Sequence, residues 1–121
     1  MKPLVVLACL LTASVSARAD EMRAVSPLEG YACVNLSLPS HKMRWDELPQ
    51  AKAEPSAAAP VAGVVQATVL ARYPLVVRNG YAEIILYTGQ KAWIQQSLLA
   101  ARNPRCRAVL MSDGKPGIAG S

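Results

Sequence analysis

Between Val76 and Leu99 the chain carries two turn signals at hairpin spacing. Asn79-Gly80 opens a β-rich run, Tyr81 to Tyr87, and Thr88-Gly89 closes it before a short run containing Trp93 and Ile94. This pattern predicts a three-strand meander with tight connections. Two registers compete at the second turn. A two-residue turn brings Trp93 opposite Ile84, and a three-residue loop brings it opposite Glu83, with Ile94 opposite Ala82. A one-residue slip exchanges the two faces. The three-residue loop is favoured because it places Gly89 where a left-handed residue is needed. Ala82, Ile84, Leu86, Ala92 and Ile94 then share the core side. Tyr81, Glu83, Ile85 and Trp93 share the other.

The N-terminus predicts export. Lys2 supplies a minimal positive region, Leu4 to Leu11 an apolar run, and Ala17-Arg18-Ala19 a small-x-small cleavage site, so residues 1–19 read as a signal peptide. The apolar run is too short to span a bilayer, and no membrane span is expected after cleavage. Cys9 goes with the signal. Removal leaves about 100 residues, enough for one domain with a single modest core. The chain has no Phe, so that core rests on Val, Leu, Ile and Ala. Net charge falls from +5 to about +3 on loss of Lys2 and Arg18. Arg102, Arg105 and Arg107 form a weak cluster that reads as a solvated face, and no nucleic-acid partner is expected.

Two cysteines remain, Cys33 and Cys106. In an oxidising compartment an even pair reads as a disulfide. The competing reading is a reactive-thiol or metal pair. No histidine lies near either cysteine in sequence, and the only one in the chain is His41. No metal and no cofactor are expected.

Residues 20–49 form an N-terminal extension. Asp20 to Pro27 reads as a flexible lead-in, Tyr31 to Leu36 as a strand, and Ser40 to Pro49 as a loop with one capped helical turn. That loop is either pinned on the core by Trp45, the favoured reading, or a recognition loop carrying Trp45 with His41, Lys42 and Arg44. Gln50 to Val61, rich in Ala and Pro, reads as a long loop within one domain. Val61 to Val65 and Ala67 to Ala71 read as short strands. In the C-terminal extension, 101–121, Arg107 to Met111 reads as one strand and Asp113-Gly114 as a turn. Lys115-Pro116-Gly117 argues against regular structure beyond it, leaving a disordered end.

Ala53-Glu54-Pro55-Ser56, Pro60-Val61-Ala62-Gly63-Val64-Val65, Asn79-Gly80-Tyr81, Gly89-Gln90-Lys91-Ala92-Trp93-Ile94 and Ser97-Leu98-Leu99 resemble the segments of a bacterial Src-homology-3-like domain. The likeness covers residues 50–99. It departs where the family often has Leu-Asn-x-Arg, here Gln50-Ala51-Lys52-Ala53, and where it has Trp after Asn-Gly, here Tyr81. The resemblance implies a mainly β fold, a small SH3-like barrel over 50–100. Its terminal extensions would be clasped by the Cys33–Cys106 disulfide. It also implies a module that binds cell wall or protein partners.

Catalysis needs partners in hydrogen-bond reach, and the chain shows no nucleophile–base signature. Asp46-Glu47 are adjacent and do not converge by spacing alone. The expectation is a monomeric, non-enzymatic binding module, periplasmic or secreted, whose partner is a cell-wall component or another envelope protein. The alternative is a small inhibitor of a cell-wall hydrolase. Candidate ligand-binding residues are Tyr81, Trp93, Ile85, Trp45 and Arg44. Tyr81 and Trp93 either floor an open site or lie under the terminal clasp.

Overall fold

The computed structural model describes residues 22–37, 48–65 and 67–120. The strands run β1 (Ala24–Pro27), β2 (Tyr31–Leu36), β3 (Gln50–Lys52), β4 (Val61–Val64), β5 (Thr68–Arg72) and β6 (Val77–Arg78). They continue as β7 (Tyr81–Ile85), β8 (Lys91–Gln95), β9 (Leu99–Arg102), β10 (Cys106–Met111) and β11 (Pro116–Gly120), with a 3-10 turn at Gln96–Leu98. The larger sheet runs β4-β3-β8-β7-β5-β2-β9 with β6 beside β7, and a three-stranded sheet runs β1-β10-β11. The fold is mainly β.

The meander forms as its turns dictate. Asn79 and Gly80 both take positive φ, +53° and +80°, which a two-residue hairpin turn requires, and Arg78 pairs with Tyr81. At the next turn Gly89 has φ +96°, and the Leu86 N–H donates to the Gln90 carbonyl at 2.9 Å. Glu83 therefore opposes Trp93 and Ala82 opposes Ile94, the three-residue-loop register.

This register gives the larger sheet two apolar faces. On one, Val34, Leu36, Val69, Ala71, Ile84, Ala92 and Ile94 form the main core with Ala51 and Val65. On the other, Cys33, Leu70 and Ala108 form a second cluster with Leu28, Tyr31, Ile85 and Cys106 packed around it. The small sheet thus lies against β2, β5 and β7 through β10. The Cys33–Cys106 disulfide pins it there, with the two Cα atoms 5.9 Å apart.

Four expectations are corrected. The sheet does not close into a barrel, because β4 and β9 end the strand order without pairing to each other. The lead-in before Leu28 is not flexible throughout: Ala24–Pro27 pairs with β10, covering an edge that would otherwise stand open. The Ala/Pro-rich loop begins as strand β3, where buried Ala51 pairs with Gly63; strand pairing here outranks composition. The C-terminal end is ordered as β11. Pro116 sits at the first residue of an edge strand, where no ladder donor is needed. Gly117 lies so close beneath Met111 that an added Cβ would fall 2.6 Å from its Cγ. The signal-like segment and residues 38–47, with His41, Lys42, Arg44 and Trp45, lie outside the described residues.

Candidate functional site

The sheet parts between β4 and the start of β5. Strand β5 is bonded along its length to β2, but β7 reaches it only at Leu70 and Ala71. Thr68 and Val69 extend past the end of β7. Among the described residues, strand β4 is bonded on one side only, by β3. A cleft of about 320 Å³ lies in the gap. Ala62 and Val64 line it from β4, Val69 from β5, and Ile84, Leu86 and Tyr87 from β7 and the turn after it. Val69 and Ile84 are buried and make the floor. Val64 and Tyr87, 54% and 46% exposed, make the rim.

The chemistry of this cleft is apolar with a few backbone groups. The Tyr87 hydroxyl donates to the Thr68 carbonyl at 3.4 Å, and burial pushes its phenol above the ordinary 10.0. None of the described residues that line the cleft is charged at neutral pH. The Val65 N–H donates to the Pro49 carbonyl, so Val65 occupies a bonded position of the β3–β4 pair. Val64, one residue earlier and opposite Gln50, occupies the alternate position. In an antiparallel pair that position turns its N–H and C=O away from the partner strand. Val64 thus offers a donor and an acceptor at the cleft margin. Among the described residues, no three His, Cys, Asp or Glu side chains group as metal ligands.

Of the described sequence candidates, Ile85 also touches the β4 cleft, and Tyr81 and Trp93 do not. Tyr81 and Trp93 share one face as the register requires, but they are only 8% and 6% exposed. The Arg78 guanidinium lies 5.9 Å from the Trp93 ring centroid. Ile85 packs under the clasp with Ala108 and Cys106. Glu83, between them, faces the Lys91 ammonium at 4.0 Å. This face is covered, at Ile85 by the clasp and at Trp93 in part by a side chain from β6. Trp93 fluorescence, measured in a Trp45→Phe background, should accordingly resist acrylamide quenching. Quenching as ready as that of free indole would contradict the burial.

Of the described candidate ligand-binding residues, Ile85 alone lines the β4 cleft, and the sequence singles it out for the face it shares with Trp93, not for this gap. The gap arises because β7 ends one residue before Leu86, and Ile85 and Leu86 suit a strand equally well.

The chain is thus a mainly β, disulfide-linked domain with an apolar cleft beside a one-sided strand. No family model, curated protein or solved structure matches it. Among the described residues no helix is long and apolar enough to cross a membrane.

Proposed function

We propose that the protein is an exported, non-catalytic binding module of the cell envelope that takes an extended apolar segment of a partner protein along β4. The observation that carries this is the apolar cleft lying against a strand edge with a turned-out donor and acceptor at Val64. An extended peptide added to such an edge gains affinity from main-chain hydrogen bonds and specificity from alternate side chains in the pocket. A glycan strand would bring hydroxyls to a lining in which Val, Ile, Leu and Ala outnumber Thr68, Tyr87 and Thr88, which favours protein over cell wall as the ligand.

Export is supported by the signal-like residues 1–19 and by the disulfide, which persists in oxidising compartments. The likeness to Src-homology-3-like domains supports a binding role. Its segments fall on the connection between β3 and β4, on β4, on the β6–β7 turn, on β8 and the turn before it, and on the 3-10 turn running into β9.

A photo-crosslinking residue at Val64 should trap an envelope protein in intact cells, while one at exposed Val25 on β1 should not. Val64→Glu, which puts a carboxylate on the rim, should weaken the complex about tenfold or more. Equal trapping from both positions would remove the β4 site. Low-salt retention on peptidoglycan sacculi that survives Val64→Glu would replace the protein ligand with the wall. Among the described residues Tyr87 is the only titratable group lining the cleft, and its pKa is raised. Affinity should therefore stay flat from about pH 6 to pH 9, since the neutral phenol persists throughout.

A further inference from the structure

A second cleft, of about 310 Å³, lies where the start of β7, the end of β8 and the start of β3 run side by side. Tyr81, Gln95, Gln50 and Lys52 line it from those strands. The register brings these four together. Tyr81 opposes Gln95 on β8, and continuing the Lys52–Trp93 register places Gln50 opposite Gln95 on the far side. Opposed side chains of an antiparallel pair share a face, with Cβ atoms about 5 Å apart. Tyr81, Gln95 and Gln50 therefore form one row, and Lys52 lies on the same face two positions along β3. The fold makes no use of their polar groups. Among the described residues the side-chain amides of Gln50 and Gln95 bond nothing, and the Lys52 ammonium forms no ion pair. Tyr81 is only 8% exposed, yet its hydroxyl has no hydrogen-bond partner among the described residues. A tyrosine hydroxyl buried to that degree ordinarily finds one. No carboxylate lines the cleft among the described residues. Glu83, on the same face beside Trp93, is met by the Lys91 ammonium at 4.0 Å.

We propose that this cleft binds the carboxylate end of a peptide chain. Such an end carries a negative charge, a last peptide group and a terminal side chain, and the lining answers all three. The Lys52 ammonium takes the carboxylate, with no described acid in the cleft to compete for it. The last peptide group has one donor and one acceptor, and the primary amides of Gln50 and Gln95 offer both. The Tyr81 hydroxyl, donor and acceptor alike, gains the partner it lacks. Leu48, Pro49 and Leu98 complete the lining and give the terminal side chain an apolar wall. The volume is near the lower bound for ligand pockets, which suits one chain end rather than a long segment. A neutral sugar fits less well. It would leave the ammonium unpaired, and the covered Tyr81 ring offers it no open face for stacking. Tyr81 thus acts through its hydroxyl and not through its ring.

The test titrates the oxidised protein with N-acetyl-L-alanyl-L-leucine and follows the glutamine side-chain amides by NMR. Those of Gln50 and Gln95 should shift and saturate together, while that of Gln90, in the turn before β8, stays in place. The same peptide with its C-terminus amidated should bind at least about tenfold more weakly, and Lys52→Gln should weaken binding of the acid as much. Lys91→Gln removes a cation outside the cleft and should leave the affinity unchanged. Tyr81→Phe keeps the buried ring and removes only the hydroxyl, and should weaken binding several-fold. Equal affinity for acid and amide, or no effect of Lys52→Gln, would overturn the proposal. So would the absence of a saturable shift at about 10 mM peptide, about tenfold above the Kd expected of so small a ligand. N-acetyl-D-alanyl-D-alanine separates the sources of such an end. Preference for the L-peptide points to the tail of a protein, and preference for the D-peptide points to a short peptide of the cell wall. Failure of the Val64 experiments leaves these results untouched, because the two clefts share no described lining residue.

Discussion

Reduction of the Cys33–Cys106 bond should lower the melting temperature by about 10–20 °C, the shift that a loss of about 2–4 kcal/mol produces in a domain of this size. The crosslink spans 73 positions of sequence, so it removes a large loop-closure entropy from the unfolded chain. It also holds the clasp. Strands β1, β10 and β11 form only a three-stranded sheet, and β1 is exposed along its whole length. The clasp meets the larger sheet mainly through Ala108 and Leu28 against Cys33, Leu70 and Ile85. So little burial does not secure a small sheet by itself. Hydrogen exchange should therefore speed up first at Leu28 and along β10 after reduction, while Ile84 and Ile94 keep their protection. Cys33→Ala with Cys106→Ala should reproduce the effect, with a small extra cost because Cys33 is 1% exposed and its sulfur fills space. A melting point that falls by less than about 3 °C, with exchange in β10 unchanged, would show that packing alone holds the clasp.

The local parts of the fold were readable because turns write themselves into sequence. Asn79-Gly80 and Gly89 fixed two connections and, through Gly89, the register of the central hairpin. Alternation then assigned Ile84 and Ile94 to the core and Trp93 to the opposite face. The cysteine pair followed from number and compartment. What stayed hidden depends on partners distant in sequence. Gln50–Lys52 has no strand composition of its own and becomes β3 only because β4 and β8 flank it. Ala24–Pro27 and Pro116–Gly120 are strands because β10 offers both its edges. The same holds for the sites. Tyr81 and Trp93 were candidates as aromatics on one face, but whether a face is open depends on which element crosses it.

Replacing Ile94 by alanine should cost about 4 kcal/mol, near the top of the range for a deleted core side chain. With no Phe in the chain, few large groups fill the interior, and Leu70, Ile84 and Ile94 are the largest side chains among the most deeply buried. Their neighbours are small. Ile94 opposes Ala82 on β7, and continuing the Lys52–Trp93 register places Ala51 opposite it on β3. All three residues have no exposed surface. Alanine has no rotamer with which to lean into a void, and the paired strands on either side hold the backbones apart. The space left by Ile94→Ala thus stays empty, and the cavity penalty adds to the lost transfer energy. Ile84 faces Ala92 on β8 and Ala71 on β5 in the same way, but it also floors the β4 cleft. A void there opens toward solvent, so Ile84→Ala should cost less than Ile94→Ala although the same atoms are removed. Ile94→Val, which deletes one methyl group, should cost about 1 kcal/mol. Urea denaturation of the oxidised protein measures all three. A loss below about 2 kcal/mol for Ile94→Ala would mean that the alanine-lined layer can collapse after all.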